Sequence, residues 1–324
     1  VLPALAQDCP IGSELLGFGA AQPTDVVTAA ELGAPFGKSA EWVRTRTGID
    51  AVRRTKDPDE LAELADRAAL DALAAAGLEA ADVDLVVAAS CAPPEVAAHL
   101  GRRSVPRAAW MHVNAACSGF SYALQAADSL IRVGAARHVL VVAGEHMSRM
   151  VDATDLGTSV IFGDGAGAAV VGPATRSEAG IGPTVAGSDG ARQRLIACDA
   201  DGYLRMAGRE VFRWAVESVP GIAREACQRA GVTLADIDVF VPHQANRRIV
   251  DAVARALGLE SAVVADDVAV SGNTSAASIP IALTRLVEDR RVRPGQLALL
   301  VGFGAGLSYA AQVVTLPRRF RGLA

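Results

Sequence analysis

The sequence predicts an α/β protein made of two duplicated halves, and three observations carry that expectation. Strand-like apolar runs alternate with helical ones along the chain. Ala76-Gly77-Leu78 followed by Ala81-Asp82-Val83-Asp84-Leu85 is echoed by Ala230-Gly231-Val232 followed by Ala235-Asp236-Ile237-Asp238-Val239. Gly163-Asp164-Gly165-Ala166-Gly167 is echoed by Gly302-Phe303-Gly304-Ala305-Gly306. Between these pairs, the helix after Cys117 and a strand at 139–142 correspond to 275–287 and 297–300. Correspondences in one order argue for a repeat of roughly 150 residues. The halves are set at 11–172 and 173–317, each a layer of helices on a mostly parallel or mixed sheet.

Taken in order, a first strand is expected over 14–20, stopped by Gln22-Pro23. Residues 41–49 are polar, with Trp42, Arg44 and Arg46 exposed. A helix follows over 61–76 and a buried strand over 84–88. Residues 91–107 read as loop, broken by Pro93, Pro94 and Pro106. After Cys117, apolar residues recur at Phe120, Ala123, Leu124, Ala127, Leu130 and Ile131, one face of a helix. Gln125, Asp128 and Arg132 lie on the other face, and Gly134 is the stop signal. A strand covers 139–143, 145–158 is irregular, and a strand pair is expected around 159–171. In the second half a strand at 239–241 leads into a helix at 245–257.

Composition limits the function classes. The chain has 324 residues, 51% hydrophobic and only 4% aromatic, so its core must be Ala, Val, Leu and Ile. A formal net charge of −5 argues against a general nucleic-acid binder. The five cysteines, Cys9, Cys91, Cys117, Cys198 and Cys227, include no CxxC pair. That fits reduced thiols, without a disulfide framework or a metal site. Val1 to Gln7 carries no basic or long apolar run, so no signal peptide is expected. No uncharged stretch is long enough for a membrane span. A cytoplasmic protein is the expectation.

Three residues stand out as candidate chemistry. Cys117 falls at the start of a helix, where free N–H groups and the dipole favour a thiolate; a small buried core cysteine is the plainer reading. His243 sits where a strand passes into a helix, a frequent active-site position in α/β folds, although a capping histidine is equally compatible. Asn273, in Ser271-Gly272-Asn273-Thr274-Ser275, is by itself an N-cap. The duplication puts Cys117 and Asn273 on loops opening equivalent helices, so the two can meet at the junction of the halves. Neither glycine-rich loop has a P-loop Lys-Ser/Thr or a dinucleotide context. Their glycines are expected to permit positive φ and close backbone approach.

Taken together, these pieces resemble the β-ketoacyl-acyl-carrier-protein synthase III family of thiolase-fold condensing enzymes. The matching segments are Glu41-Trp42 with Thr45-Arg46-Thr47-Gly48-Ile49, Ala115-Ala116-Cys117-Ser118-Gly119-Phe120, and Ile161-Phe162-Gly163-Asp164-Gly165-Ala166-Gly167. Met206-Ala207-Gly208, Pro242-His243-Gln244-Ala245-Asn246, Gly272-Asn273-Thr274-Ser275-Ala276-Ala277-Ser278 and the Gly302 loop complete the set. The resemblance implies a five-layered αβαβα core and a Cys117, His243, Asn273 triad. It implies an oxyanion site from the Cys117 and Ala305 backbone. Trp42, Arg46, Gly208, Phe212, Asn246 and Ile249 would line a coenzyme A or pantetheine tunnel, and Phe162 and Leu204 an acyl pocket. Gln244, Ala245, Asn246, Arg247, Arg248, Arg213 and Arg255, with Arg209, would face an acyl carrier protein. The implied substrates are acyl-CoA and malonyl-carrier protein, with no resident cofactor or metal, in a homodimer.

The sequence departs from the family at Leu156, where an arginine commonly packs on the adenine. Segments 91–107 and 191–203 are also short. Three rivals share some of the same residues: an acyltransferase or condensing enzyme of a secondary pathway, a cysteine hydrolase, and a carrier-binding subunit without activity.

Overall fold

A computed structural model describes residues 12–57, 60–175 and 180–320. Val1 to Gln7, Cys9 and the first residue of the 11–172 half lie outside the described residues. One five-stranded sheet contains β1 (Ser13–Ala21), β2 (Leu85–Ala89), β3 (Ala109–Val113), β4 (Val139–His146) and β5 (Asp164–Pro173), in the order β1-β5-β4-β2-β3. A second contains β6 (Val185–Ser188), β7 (Val239–Pro242), β8 (Val263–Val264), β9 (Leu297–Gly304) and β10 (Ser308–Thr315), in the order β6-β10-β9-β7-β8. Counted within each half, the order is the same: first, fifth, fourth, second, third. The directions agree too. β2 runs parallel to β3 and β4, as β7 does to β8 and β9. β5 is antiparallel to β1 and β4, as β10 is to β6 and β9.

Helices make the other three layers, as the five-layered expectation has it. With α1 (Ala40–Thr47) set apart near the mouth of the site, α2 (Glu60–Ala76) covers the outer face of the first sheet. Close contact there depends on small residues: a Cβ on Gly19 of β1 would stand 2.2 Å from the Ala68 carbonyl oxygen. Between the sheets lie α3 (Gly119–Arg132) and, after α4 (Gly208–Arg229) and α5 (Arg247–Leu257), the equivalent α6 (Ser278–Glu288). α4 and α5 cover the outer face of the second sheet. Phe120, Leu124 and Ile131 of α3 and Ile279 and Leu283 of α6 are fully buried in one core. Each such side chain contributes about 1.5–3 kcal/mol of apolar burial. The buried face of α6 is apolar, while its one arginine, Arg285, pairs with the buried Asp267 at 2.5 Å and reaches the Gln22 side-chain oxygen at 2.8 Å.

Several expectations need correction. The irregular stretch at 145–158 begins too early, because β4 continues to His146, and Leu156–Ser159 is a short helix. There is no strand pair around 159–171; a single strand, β5, starts at Asp164 and pairs back with β1 and β4. Its glycines have ordinary φ. Close approach is their reason instead: a Cβ on Gly167 would meet the Pro280 ring at 2.8 Å. Residues 41–49 are largely helix α1, capped by the Ser39 hydroxyl. No helix among the described residues is long and apolar enough to cross a membrane.

Candidate active site

Cys117 lies in a single 3-10 turn, Ala116–Ser118, directly ahead of α3. The turn is entered through a left-handed residue, Ala116, at φ 48°. Such a conformation costs a non-glycine residue roughly 1–2 kcal/mol, and here it turns the next side chain out of the core. The Asn114 side-chain oxygen accepts the Ala116 N–H at 3.2 Å and supports the turn. The N–H groups of Cys117 and Ala305 both reach the sulfur. Ala305 opens the turn after β9, so the strand end of one half meets the helix start of the other.

The expected lowering of the Cys117 pKa is not seen. Burial pushes the thiol up to about 11, the nearby Glu145 carboxylate adds to the rise, and the N–H groups and the Ser275 hydroxyl offset only part of it. α3 itself begins at Gly119, and the helix-start argument is outweighed by the desolvation of the thiol.

His243 follows β7 and is anchored by its N–H to the Val301 carbonyl at 2.8 Å. Its ring is buried and packs edge-on against Phe303, with centroids 5.4 Å apart. Burial lowers its pKa to about 3, so the imidazole is neutral. Nδ1 lies 2.7 Å from the Ser278 hydroxyl, whose oxygen also accepts the Gln244 N–H at 3.3 Å. With that hydroxyl donating to Nδ1, Nε2 keeps the ring proton and acts as a donor.

Asn273 is not the cap of α6, which starts five residues later at Ser278. Its side-chain oxygen accepts the Ser275 N–H at 2.9 Å, which leaves the amide NH2 as its donor. Its backbone pairs with the Phe162 region, N–H to the Ile161 carbonyl at 2.9 Å and carbonyl to the Gly163 N–H at 3.1 Å.

One cavity of 1220 Å³ joins these groups, larger than most small-molecule pockets. Cys117, His243, Asn273 and Ala305 line it, as do Phe162 and Leu204 at an apolar wall shared with Met147 and Met150. Trp42, Arg46, Gly208, Phe212, Asn246 and Ile249 line it as well, together with Arg209, Arg213, Ala245 and Arg248. Leu156 is also on the wall, half-buried. Trp42 carries two cations over its ring, Lys38 at 5.3 Å and Arg46 at 5.8 Å. Arg248 stacks on Phe212 at 5.6 Å. Asn246 caps α5 through the Arg248 N–H at 2.9 Å and reaches the Arg46 carbonyl at 3.3 Å.

Two residues assigned to the carrier face behave differently. Gln244 is fully buried, and its amide bonds the Pro242 carbonyl at 2.8 Å and the Val268 N–H at 3.1 Å, so no external partner reaches it. Arg247 is held by Asp251 at 2.7 Å and Asp266 at 3.5 Å. Arg209, Arg213, Arg248 and Arg255 are exposed, the last of them away from the cavity.

Four residues near the reacting atoms escaped the sequence reading. Cys91, Glu145, Ser275 and Ser278 meet Cys117, His243 or each other. Ser275 and Ser278 stand in the motif around Asn273 and offered a signal; Cys91 and Glu145 offered none beyond their types.

Family models for 3-oxoacyl-[acyl-carrier-protein] synthase III match residues 111–190, and its C-terminal model matches 227–316. A β-ketoacyl-[acyl-carrier-protein] synthase III of Streptomyces coelicolor is 46% identical over 314 residues, covering 94% of this chain and 99% of that protein. The chain belongs to the β-ketoacyl-acyl-carrier-protein synthase III family. The synthase III of Mycobacterium tuberculosis is 44% identical over 94% of the chain and 96% of its own length. Among solved structures, a priming β-ketosynthase of a polyketide pathway superposes with a TM-score of 0.91 at 40% identity, covering 97% of this chain and 99% of that one. The synthase III of Pseudomonas aeruginosa gives 0.87 at 37% identity, with 94% and 98% covered.

Proposed function

We propose that this synthase III joins an acyl-CoA to malonyl-carrier protein, giving 3-oxoacyl-carrier protein, CO2 and coenzyme A, the opening condensation of fatty-acid synthesis. The supporting observation is the convergence of a thiol, a neutral imidazole and a carboxamide on one cavity reached past Trp42 and the exposed arginines.

Cys117 attacks the thioester carbonyl and holds the acyl group while coenzyme A leaves. The oxygen of that tetrahedral intermediate is met by the Cys117 and Ala305 N–H groups. Malonyl-carrier protein then enters, and loss of CO2 leaves an enolate. The His243 Nε2–H and the Asn273 NH2 are the donors for its oxygen. A neutral histidine suits this step, since it gives a hydrogen bond without taking a proton. The enolate carbon attacks the acyl-Cys117 carbonyl and releases the cysteine. Phe162 and Leu204 wall the acyl chain, and Arg213 and Arg248 meet the acidic carrier.

On this reading both substrates arrive as thioesters and no resident cofactor takes part. The halves 11–172 and 173–317 supply the nucleophile and the two donors respectively. A cytoplasmic homodimer is the expected setting, and the edge strand β3 supports it: it pairs only with β2 among the described residues and leaves Met111 exposed. The structural match to a polyketide priming enzyme favours a second reading, the same chemistry at the start of a secondary pathway. Malonyl-dependent carbon–carbon bond formation in wild type and Cys117→Ala tests the main reading. Loss in the variant is expected; an unchanged rate refutes it.

A further inference from the structure

The side chain next to His243 is spent entirely inside the protein. Gln244 is fully buried, and it lies behind the cavity wall, between His243 and Ala245, which both line it. Its Nε2 donates to the Pro242 carbonyl at 2.8 Å and to the Ala265 carbonyl at 3.4 Å, and its Oε1 accepts the Val268 N–H at 3.1 Å. Two carbonyls and one N–H fix which way the amide points. The backbone N–H of Gln244 goes to the Ser278 hydroxyl at 3.3 Å, the same hydroxyl that lies 2.7 Å from His243 Nδ1.

The partners of the amide lie on the path to Asn273. β8 is only two residues long, and beyond it the Ala265 N–H still reaches the Phe240 carbonyl of β7 at 2.9 Å. The chain then enters the turn Val268–Ser271, whose cap residue Asp267 makes no side-chain cap bond. The Gly272 N–H closes that turn on the Val268 carbonyl at 3.1 Å, and Asn273 follows. A side-chain amide carries the same donor and acceptor as a peptide group. Gln244 therefore takes over where the backbone ladder stops. The echo of Asp84 by Asp238 makes Ser90 its counterpart in the first half. There the hydroxyl bonds only near its own strand pair, to the Gly144 carbonyl at 2.7 Å, the Ala92 N–H at 3.0 Å and the Glu145 carboxylate at 3.3 Å. β3 has five residues and pairs with β2 as far as Ala89 and Val113, so the ladder itself does the work.

We propose that Gln244 is a positioning residue for the second half-reaction: its buried amide locks the segment leading to Asn273 onto the strand end that carries His243, so that the His243 Nε2–H and the Asn273 NH2 stay aimed at one enolate oxygen. The proposal rests on the condensing reading and adds to it the device that sets the spacing of its two donors. Gln244 acts through the residues it joins and touches no substrate. Two other ties hold the same turn, but from elsewhere. The Asp50 N–H bonds the Ala269 carbonyl at 2.7 Å from the segment after α1, and Arg285 holds Asp267 from two turns beyond Ser278 on α6. Neither fixes the turn to the His243 strand. A misplacement of about 1 Å is enough to cost about 100-fold in rate.

The test compares Q244L and Q244E with wild type. Leucine leaves the three backbone groups unpaired. Glutamate in its protonated form keeps a donor for Pro242 and an acceptor for Val268, whereas its ionised form sets a bare oxygen against two carbonyls. Each enzyme is acylated at Cys117 with acyl-CoA, read by intact mass, then mixed with malonyl-carrier protein at rising concentration while CO2 release is timed. Q244L is expected to acylate within about threefold of wild type and to keep the half-saturating carrier concentration, yet to lose about 100-fold in the maximal rate of CO2 release. Q244E, taken as a ratio to wild type at each pH, is expected within about threefold at about pH 5.5 and to fall as the pH rises, because burial keeps its carboxyl protonated above the usual range. The titratable groups on the segments packed against this position are His243, kept neutral by burial, Asp267 with Arg285, and Asp266 with Arg247 and Arg291. Wild type carries all of them, so the ratio isolates position 244.

A folded Q244L that releases CO2 at the wild-type rate overturns the positioning role. So does acylation lost in step with CO2 release, the mark of a general loss of structure, and so does a Q244E ratio that stays flat across pH. A raised half-saturating concentration with an unchanged maximal rate overturns it as well, and puts Gln244 on the carrier face. Should Q244L fail to fold, the Q244E profile decides. A wild-type acyl-enzyme that releases no CO2 from malonyl-carrier protein overturns the condensing reading itself and the proposal with it.

Discussion

Gly304 and Cys117 touch across the junction of the two halves: a Cβ on Gly304 would stand 2.7 Å from the cysteine Cβ and 3.0 Å from its sulfur. Gly304 has extended backbone that any residue adopts, so the space alone demands glycine. Gly304→Ala should move the sulfur by a fraction of an ångström and cost about 100-fold in acylation rate. Acyl uptake by intact mass, with thermal melting to show the fold retained, checks this; an alanine variant with wild-type uptake would contradict the packing.

His243 and Asn273 serve the second half-reaction. His243→Ala and Asn273→Ala should leave Cys117 acylation within about tenfold, yet cut CO2 release from malonyl-carrier protein by about 100- to 1,000-fold. Ser278→Ala should do less, since the ring remains but its tautomer is no longer held. Measuring the two half-reactions separately tells these outcomes apart from a general loss of fold.

Cys117 in the free enzyme should be a slow thiol. With a pKa of about 11, the thiolate fraction at neutral pH is on the order of one in ten thousand. Alkylation by iodoacetamide should therefore be slow at neutral pH and climb steadily as the medium becomes alkaline. A plateau already reached below neutral pH would show a thiolate at rest.

Glu145 has a stability signature of its own. Its pKa is raised from 4.5 to about 7, so the folded state binds the proton more tightly than the unfolded chain. That contribution is fully present below pH 4.5 and is lost as pH rises toward about 7. E145Q has no such loss. The melting-temperature difference, variant minus wild type, should grow on going from about pH 5 to about pH 8; a constant difference would mean that Glu145 does not titrate in this window.

Among the described residues Arg213 and Arg248 make no ion pair, whereas Arg247 is committed to two carboxylates. Arg213→Glu and Arg248→Glu should each raise KM for malonyl-carrier protein roughly tenfold, an effect that fades with salt. Acylation by a simple pantetheine thioester should not change. Arg247→Ala should instead lower the melting temperature, because Arg247 already pairs with Asp251 and Asp266.

Much of the fold was legible because the duplication left matching glycines and alanines at the same steps of both halves. The strands and central helices follow from apolar period, and the sheets repeat one order. Asn114 and Asn273 were both visible, but not that each accepts the N–H two residues on, so that Ala116 and Ser275 share φ 48°. The triad residues stood out by position next to helices. Their electrostatics did not, since a helix-start argument knows nothing of burial, which raises Cys117 and lowers His243. The resemblance placed Gln244 on the carrier face with its neighbours, and only the fold shows that backbone groups consume its amide. Glu145 and Cys91 are far from Cys117 in sequence and become its neighbours only when the sheets close on the central helices.

The most direct test of the central claim is the mass of the chain at Cys117 through one cycle. After incubation with acyl-CoA the protein should gain one acyl group on Cys117. Adding malonyl-carrier protein should then restore the original mass as 3-oxoacyl-carrier protein appears. An acyl group found elsewhere, or one on Cys117 that malonyl-carrier protein does not discharge, would contradict it.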